Sequence, residues 1–230
     1  MNKQLALAIQ LNNEATLADF NWHNNHLLHQ QLQTILSFKG DRLLYLWGGT
    51  GCGKSHILQA CCQAINLIQS AIYLPLGLLK ELGPQIIEGL EQQTLICIDD
   101  IDTIAHDAAW EESLFHLYNR IKDEEKSLLI ISGNQPPAQL AINLADLRSR
   151  LGWGLVIQLN ELTDDEKINT LKEHAIKRGF DLPDSVGQFL INRCSRNMHD
   201  LQQLLNRLDD ASLAAHRKIT IPFVKHILNI

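Results

Sequence analysis

The octapeptide Gly48-Gly49-Thr50-Gly51-Cys52-Gly53-Lys54-Ser55 constrains this chain more than any other segment, because it satisfies the pattern GxxxxGK[ST]. That pattern works in one backbone setting: a loop that leaves a strand and opens a helix. Consecutive N–H groups of such a loop converge on phosphate oxygens, and the helix N-terminus adds partial positive charge. The flanking sequence supplies the setting. Residues 42–47 (RLLYLW) read as a short buried strand, and Ile57, Leu58, Cys61, Ile65 and Ile68 follow at helical spacing. In this loop Gly48, Gly49, Thr50, Gly51, Cys52 and Gly53 offer backbone N–H groups to phosphates. Lys54 reaches the β- and γ-phosphates, and the Ser55 hydroxyl ligates Mg²⁺. ADP or ATP with Mg²⁺ is the expected ligand.

The rest of the chain reads as an α/β layer followed by helices. Further buried strands are expected at residues 71–74, 94–98, 127–131 and 154–159, with helices at 26–38 and 108–122. Residues 78–90 have a helical apolar pattern interrupted by Gly83-Pro84. Strands alternating with helices call for a parallel sheet covered on both faces, here of five strands. After Asn160 the pattern changes to helices alone, at 163–177, 183–193, 198–215 and 221–228. The expected organisation is an N-terminal peptide at 1–12, an α/β nucleotide-binding domain at 13–160 and a small all-helical domain at 161–230.

A second acidic motif stands about 45 residues after Lys54: Leu95-Ile96-Cys97-Ile98 ends in Asp99-Asp100. A carboxylate at the end of a buried strand suits the Mg²⁺ coordination sphere, which makes Asp99 the expected metal partner of Ser55. Asp100 is then placed to orient or deprotonate a water. Lys plus Arg number 20 against 26 Asp plus Glu, a formal net charge of -6, which is opposite to the balance of proteins that grip duplex DNA through its phosphates. Direct duplex DNA binding is not expected. No apolar run is long enough for a membrane span, and the expected location is the cytoplasm. The five cysteines are odd in number and form no CxxC pair, so reduced thiols are expected rather than a disulfide framework. Cys52, within the loop, reads as an inert filler, with a helix-acidified thiol as the alternative. His23, His26 and His29 lack the cysteine or carboxylate company of a metal quartet and read as solvated residues entering a helix.

These motifs together resemble the AAA+ ATPases, and within them the DnaA-like proteins. The acidic pair is Asp-Asp. Ser132-Gly133-Asn134-Gln135-Pro136-Pro137 is similar to the sensor 1 segment, and Leu147-Arg148-Ser149-Arg150-Leu151-Gly152-Trp153-Gly154-Leu155 to the segment carrying the Arg finger and Gly-Trp-Gly. Residues 219–225 (ITIPFVK) close the chain where a DnaA would continue into DNA-binding helices, as in the Hda family of DnaA-related regulators. Stretches such as Leu117-Tyr118-Asn119-Arg120 and Arg178-Gly179-Phe180 agree with that family. The resemblance implies that Asn134 serves as sensor 1 and Arg150 as the Arg finger, with Arg148 its competitor. It places Phe20 and Asn25 near the adenine. His199 stands where the relatives carry the sensor 2 arginine, and Arg196 lies one turn earlier. A neutral imidazole does not replace a permanent guanidinium charge. The implied resting form is ADP-bound.

The N-terminal Gln4-Leu5-Ala6-Leu7-Ala8-Ile9 looks like the QLxLxL type of clamp-binding peptide. In an extended chain Leu5, Leu7 and Ile9 share one side while Gln4 anchors the end; read without the resemblance, the same residues favour a helix start. Ala8 stands where the family often has Pro. The function so implied is negative regulation of replication initiation: the chain binds the DNA polymerase sliding clamp (its beta subunit) and presents Arg150 to ATP held by the initiator DnaA. A homodimer is a further assembly it allows. The alternative is an ATP-driven helicase loader or motor on single-stranded DNA.

Overall fold

The computed structural model describes residues 15–229. The expected clamp peptide, with Gln4, Leu5, Leu7 and Ile9, lies outside the described residues. Five parallel strands form one sheet: β1 (Leu43–Trp47), β2 (Ala71–Pro75), β3 (Leu95–Asp99), β4 (Leu128–Gly133) and β5 (Leu155–Gln158), in the spatial order β2-β3-β4-β1-β5. Every residue of β3 and β4 is buried, as an uninterrupted apolar run requires when both faces are covered. The edge strands β2 and β5 are only partly buried. β1 lies between β4 and β5, although its chain leads to β2 on the far edge. Such a reversal of strand order opens a crevice at the carboxyl ends of neighbouring strands, where open α/β sheets bind ligands.

The helices of the sheet region are α1 (His26–Leu36), α2 (Lys54–Asn66), α3 (Leu76–Leu79), α4 (Ala108–Glu124) and α5 (Ala145–Leu151). α4 shows why these residues form a long helix. Asp107 caps it by accepting from the Trp110 N–H at 3.3 Å, and Trp110, Leu114, Leu117, Tyr118 and Ile121 line one buried face. Glu111 is 1% exposed, yet its carboxylate accepts backbone N–H groups of His106, Asn143 and Leu144. It thereby ties the start of α4 to the start of α5.

The stretch 78–90, whose helical apolar pattern is interrupted at Gly83-Pro84, does not form one helix. Only Leu76–Leu79 is α-helical; short 3-10 turns follow at Lys80–Leu82, Pro84–Ile87 and Leu90–Gln92. Gly83 sits at φ +83°, outside the helical region, and the Pro84 ring disfavours helical geometry in the residue before it and supplies no N–H. The apolar residues of this stretch are nevertheless buried at Leu79, Ile87 and Leu90, so the periodicity reported burial rather than helix.

A second compact unit contains Asn21–His26, Gly48–Gly53 and the chain from Leu159 onward. Its helices are α6 (Asp164–Lys177), α7 (Asp184–Arg193), α8 (Met198–Ala215) and α9 (Ile221–Leu228), packed around Leu171, Ala175, Leu190, Leu201, Leu205, Leu208 and Val224. α6 opens with a capping box: Thr163 Oγ1 accepts the Glu166 N–H at 3.3 Å, and Glu166 accepts the Thr163 N–H at 2.7 Å. That second bond holds the Glu166 carboxyl below its ordinary range. Asn25, 4% exposed, makes a two-way bond with the Asn160 backbone, accepting its N–H at 2.9 Å and donating to its carbonyl at 3.3 Å. No helix among the described residues is long and apolar enough to cross a membrane.

Candidate functional site

Three strand ends bring the chemistry of the sheet unit together. α2 starts at Lys54, so Lys54 and Ser55 stand in its first turn. Lys54 is 6% exposed, and its ammonium donates to Asn134 Oδ1 at 3.1 Å, just beyond β4. Asn134 is itself held: its N–H donates to Asp102 Oδ2 at 2.8 Å, while the Tyr45 hydroxyl donates to the neighbouring Gln135 carbonyl at 2.9 Å. Asp99 ends β3 at 1% exposure. Its Oδ1 accepts a short hydrogen bond from Ser132, and its Oδ2 accepts from the Tyr73 hydroxyl at 2.6 Å. A carboxylate buried this deeply needs both oxygens satisfied.

Asp100 follows at φ +58°, a left-handed conformation that few residues other than Gly, Asn and Asp adopt, and its N–H donates to Ser132 Oγ at 3.0 Å. The turn lifts Asp100 out of the strand direction, so the adjacent carboxylates sit in different surroundings. Burial holds the Asp100 carboxyl above its ordinary range; Asp99 adds repulsion and Lys54 opposes it. Asp99, Asp100, Lys54, Ser55 and Asn134 therefore belong to one cluster in the sheet unit. Sequence reading missed Tyr73, Ser132, Tyr45 and Asp102. Each is a polar side chain at or near a strand, and only register shows which carboxylate or carbonyl it meets.

The cluster suits Mg²⁺ by its chemistry. The Ser55 hydroxyl and Asp99 carboxylate are hard oxygen donors, and Mg²⁺ typically binds through one or two carboxylates plus phosphate oxygens and water. Among the described residues no group of three or more His, Cys, Asp or Glu side chains forms an all-protein metal cage. All five cysteines are free, and Cys52, Cys61, Cys62 and Cys97 are buried.

The loop Gly48–Gly53 is described within the helical unit. A Cβ on Gly51 would lie 2.6 Å from the Asn197 carboxamide carbon, so the residue that caps α8 rests on the loop backbone. His199 is the second residue of α8, and its N–H donates to the Asn197 cap. It is exposed, and its Nε2 lies 2.8 Å from the Gln203 side-chain nitrogen. Arg196 is exposed, with one guanidinium nitrogen 3.9 Å from Asp164 Oδ2.

A separate constellation surrounds α5. The Arg150 guanidinium stacks 5.0 Å from the Phe115 ring and 4.9 Å from the Trp153 ring, while the Lys122 ammonium stands 4.2 Å over Trp153. Trp153 is 57% exposed. Tyr118 is buried with its hydroxyl unpartnered; burial pushes that phenol up to about 12, against the pull of the Arg150 charge. Arg148 points elsewhere and donates to the Ile142 carbonyl at 3.1 Å. Gly154 is fixed by close approach, since a Cβ there would lie 2.5 Å from the Leu43 carbonyl oxygen across the β1–β5 pairing.

Strand order, the loop after β1 and the acidic end of β3 define an AAA+ P-loop fold with a helical lid. Residues 164–228 match the lid domain of Hda, and residues 81–158 match the bacterial DnaA ATPase domain. A Haemophilus influenzae protein of uncharacterised role is 45% identical over 231 residues, spanning both chains completely. The chain belongs to the Hda/DnaA-related family of AAA+ proteins. Domain III of Thermotoga maritima DnaA superposes with a TM-score of 0.80 at 20% identity, covering 96% of this chain and 98% of that one. AMPPCP-bound DnaA from Aquifex aeolicus gives 0.71 at 21% identity, covering 85% of this chain and 65% of its own.

Proposed function

We propose that this protein is a nucleotide-binding negative regulator of replication initiation that stimulates hydrolysis of DnaA-bound ATP while bound to the sliding clamp. The observation that carries this reading is the Hda lid match directly following a DnaA-type ATPase fold. In its own site the backbone N–H groups of Gly48–Gly53 and the Lys54 ammonium hold the phosphates of ADP or ATP. Ser55 and Asp99 are the residues that hold Mg²⁺, which, when bound, neutralises phosphate charge. Asn134 positions Lys54, and Asp100 is the group available to orient a water. His199, an exposed imidazole, brings no permanent charge to the sensor 2 position, in keeping with a site that retains ADP rather than turning over ATP rapidly. Nucleotide binding by this fold is supported by the AMPPCP complex of the Aquifex DnaA.

The catalytic contribution to a partner falls to Arg150. A guanidinium presented across a subunit boundary stabilises charge on a transferring phosphoryl group. Its place beside an exposed tryptophan suits that task, because aromatic faces hold a cation without neutralising it. Gln4, Leu5, Leu7 and Ile9 provide the clamp contact by lying extended in a groove. A second reading, a helicase loader or motor on single-stranded DNA, draws on the presence of Lys54, Asp99 and Asp100 in one cluster.

Single-turnover hydrolysis of labelled ATP on DnaA separates the two. Acceleration only when this chain and DNA-loaded clamp are both present is the expected result, and Gln4→Ala with Leu5→Ala removes it while ADP affinity stays intact. Turnover of ATP by this chain alone, with no effect on DnaA, overturns the regulator reading in favour of the motor.

A further inference from the structure

The Tyr73 phenol occupies an unusual junction in the sheet unit. In the parallel register Tyr73 pairs with Cys97, and Asp99 lies two residues further along β3 on the same face. A long side chain spans that diagonal, and the hydroxyl donates its one proton to Asp99 Oδ2 at 2.6 Å. Ser55 and Gln59, one helical turn apart on α2, lie near the same hydroxyl and favour its ionised form. Tyr73 therefore fixes the end of β3 at Asp99, with the start of α2 beside it. The carboxylate's other oxygen is held by Ser132, so the Asp99 plane is set from both sides.

We propose that Tyr73 is the positioning residue of the metal half of this nucleotide site, holding the Asp99 carboxylate in the orientation that Mg²⁺ takes up. It touches neither metal nor phosphate. Its hydroxyl fixes the orientation of a carboxylate that would otherwise have to be ordered when the ion arrives, which is the usual work of groups bonded to metal ligands. Lys54, which donates to Asn134, serves the phosphate half. The hydroxyl thus contributes to binding of the Mg²⁺–nucleotide complex and not to binding of nucleotide alone. This inference rests on the nucleotide-binding reading given above.

The test is calorimetric titration of ADP into the full chain and its Tyr73→Phe variant across a MgCl₂ series, and in EDTA. Far-UV circular dichroism and ligand-free melting verify that the variant, which lacks only the hydroxyl, retains the fold. The Mg²⁺ concentration for half-maximal tightening of ADP binding is expected to rise about tenfold, the lower end of the range for groups that orient metal ligands. Metal-free ADP affinity stays within about twofold, since no phosphate-binding group has been touched. An unchanged or lowered Mg²⁺ requirement overturns the assignment, and so does an equal loss with and without metal, which would mark Tyr73 as purely structural. If the wild-type chain binds no ADP under either condition, the nucleotide reading fails and this inference with it; wild-type binding with an unaltered variant defeats the inference alone.

Discussion

The ends of β3 and α5 carry charged groups under opposite regimes. At the end of β3 Asp99 is buried, and both oxygens are taken by hydroxyl donors. Around α5 the Arg150 charge rests on two ring faces, and the buried Tyr118 hydroxyl that feels this charge is unpartnered. Hydrogen bonds to a charged group are directional and contribute about 1.5–3 kcal/mol each. A cation–π contact near the surface is worth about 0.5–1 kcal/mol and tolerates sliding. The first arrangement keeps a geometry; the second stores a cation that is cheap to release. The proposed function, in which the chain keeps its own nucleotide and lends an arginine to another protein's ATP, would call for one of each.

Four substitutions break or sharpen that contrast. The largest effect is expected from Arg150→Ala, which should lower single-turnover hydrolysis on DnaA by about a thousandfold, the low end for an arginine finger, while ADP binding by this chain is preserved. Next comes Lys54→Ala. Loss of a charge-assisted contact worth about 1.5–3 kcal/mol should weaken ADP binding by roughly 10- to 100-fold in calorimetry. If it also abolishes the Arg150-dependent stimulation at saturating ADP, the two regions are not separable. Trp153→Ala removes one of the two rings on Arg150 and should reduce stimulation about two- to fivefold, the equivalent of one cation–π contact. A loss as large as that of Arg150→Ala would show the rings to be rigid supports rather than a resting place.

The smallest effect concerns pH. The Asp100 carboxyl is held above its ordinary range by burial and by Asp99, so the ligand-free fold favours its protonated form. That contribution to stability is fully present below the unfolded carboxyl range and is lost as pH rises through the folded value. Asp100→Asn, which tolerates the left-handed backbone, should therefore raise the melting temperature of the ligand-free chain at neutral pH. The advantage should vanish in acid, where Asp100 is neutral too. A gain of equal size at both pH values would show that charge is not its cause.

Much of this organisation is legible along the chain because it depends on neighbours in sequence. The phosphate loop is eight consecutive residues, and each buried strand is a short apolar run next to a turn. The break at Gly83-Pro84 was visible as a warning, yet the apolar spacing of 78–90 suggested a helix, since burial of Leu79, Ile87 and Leu90 leaves the same signature in a series of turns. The acidic pair Asp99-Asp100 was visible too. Its division into a fully bonded carboxylate and one raised by burial was not, because that division comes from the hydroxyls of Ser132 and Tyr73 on Asp99 and from the packing around Asp100.

Local pattern alone determined that this chain builds a parallel α/β layer with a phosphate loop and ends in helices, because strand, loop and helix preferences act over a few residues. Tertiary structure decided which polar groups meet. Tyr73 reaches Asp99 across 26 positions, Lys54 reaches Asn134 across 80, and Arg148 and Arg150, two residues apart, turn to a carbonyl and to aromatic rings respectively. Those encounters follow from strand order and register, which bring distant segments within hydrogen-bond reach and leave no trace in the spacing of residues along the chain.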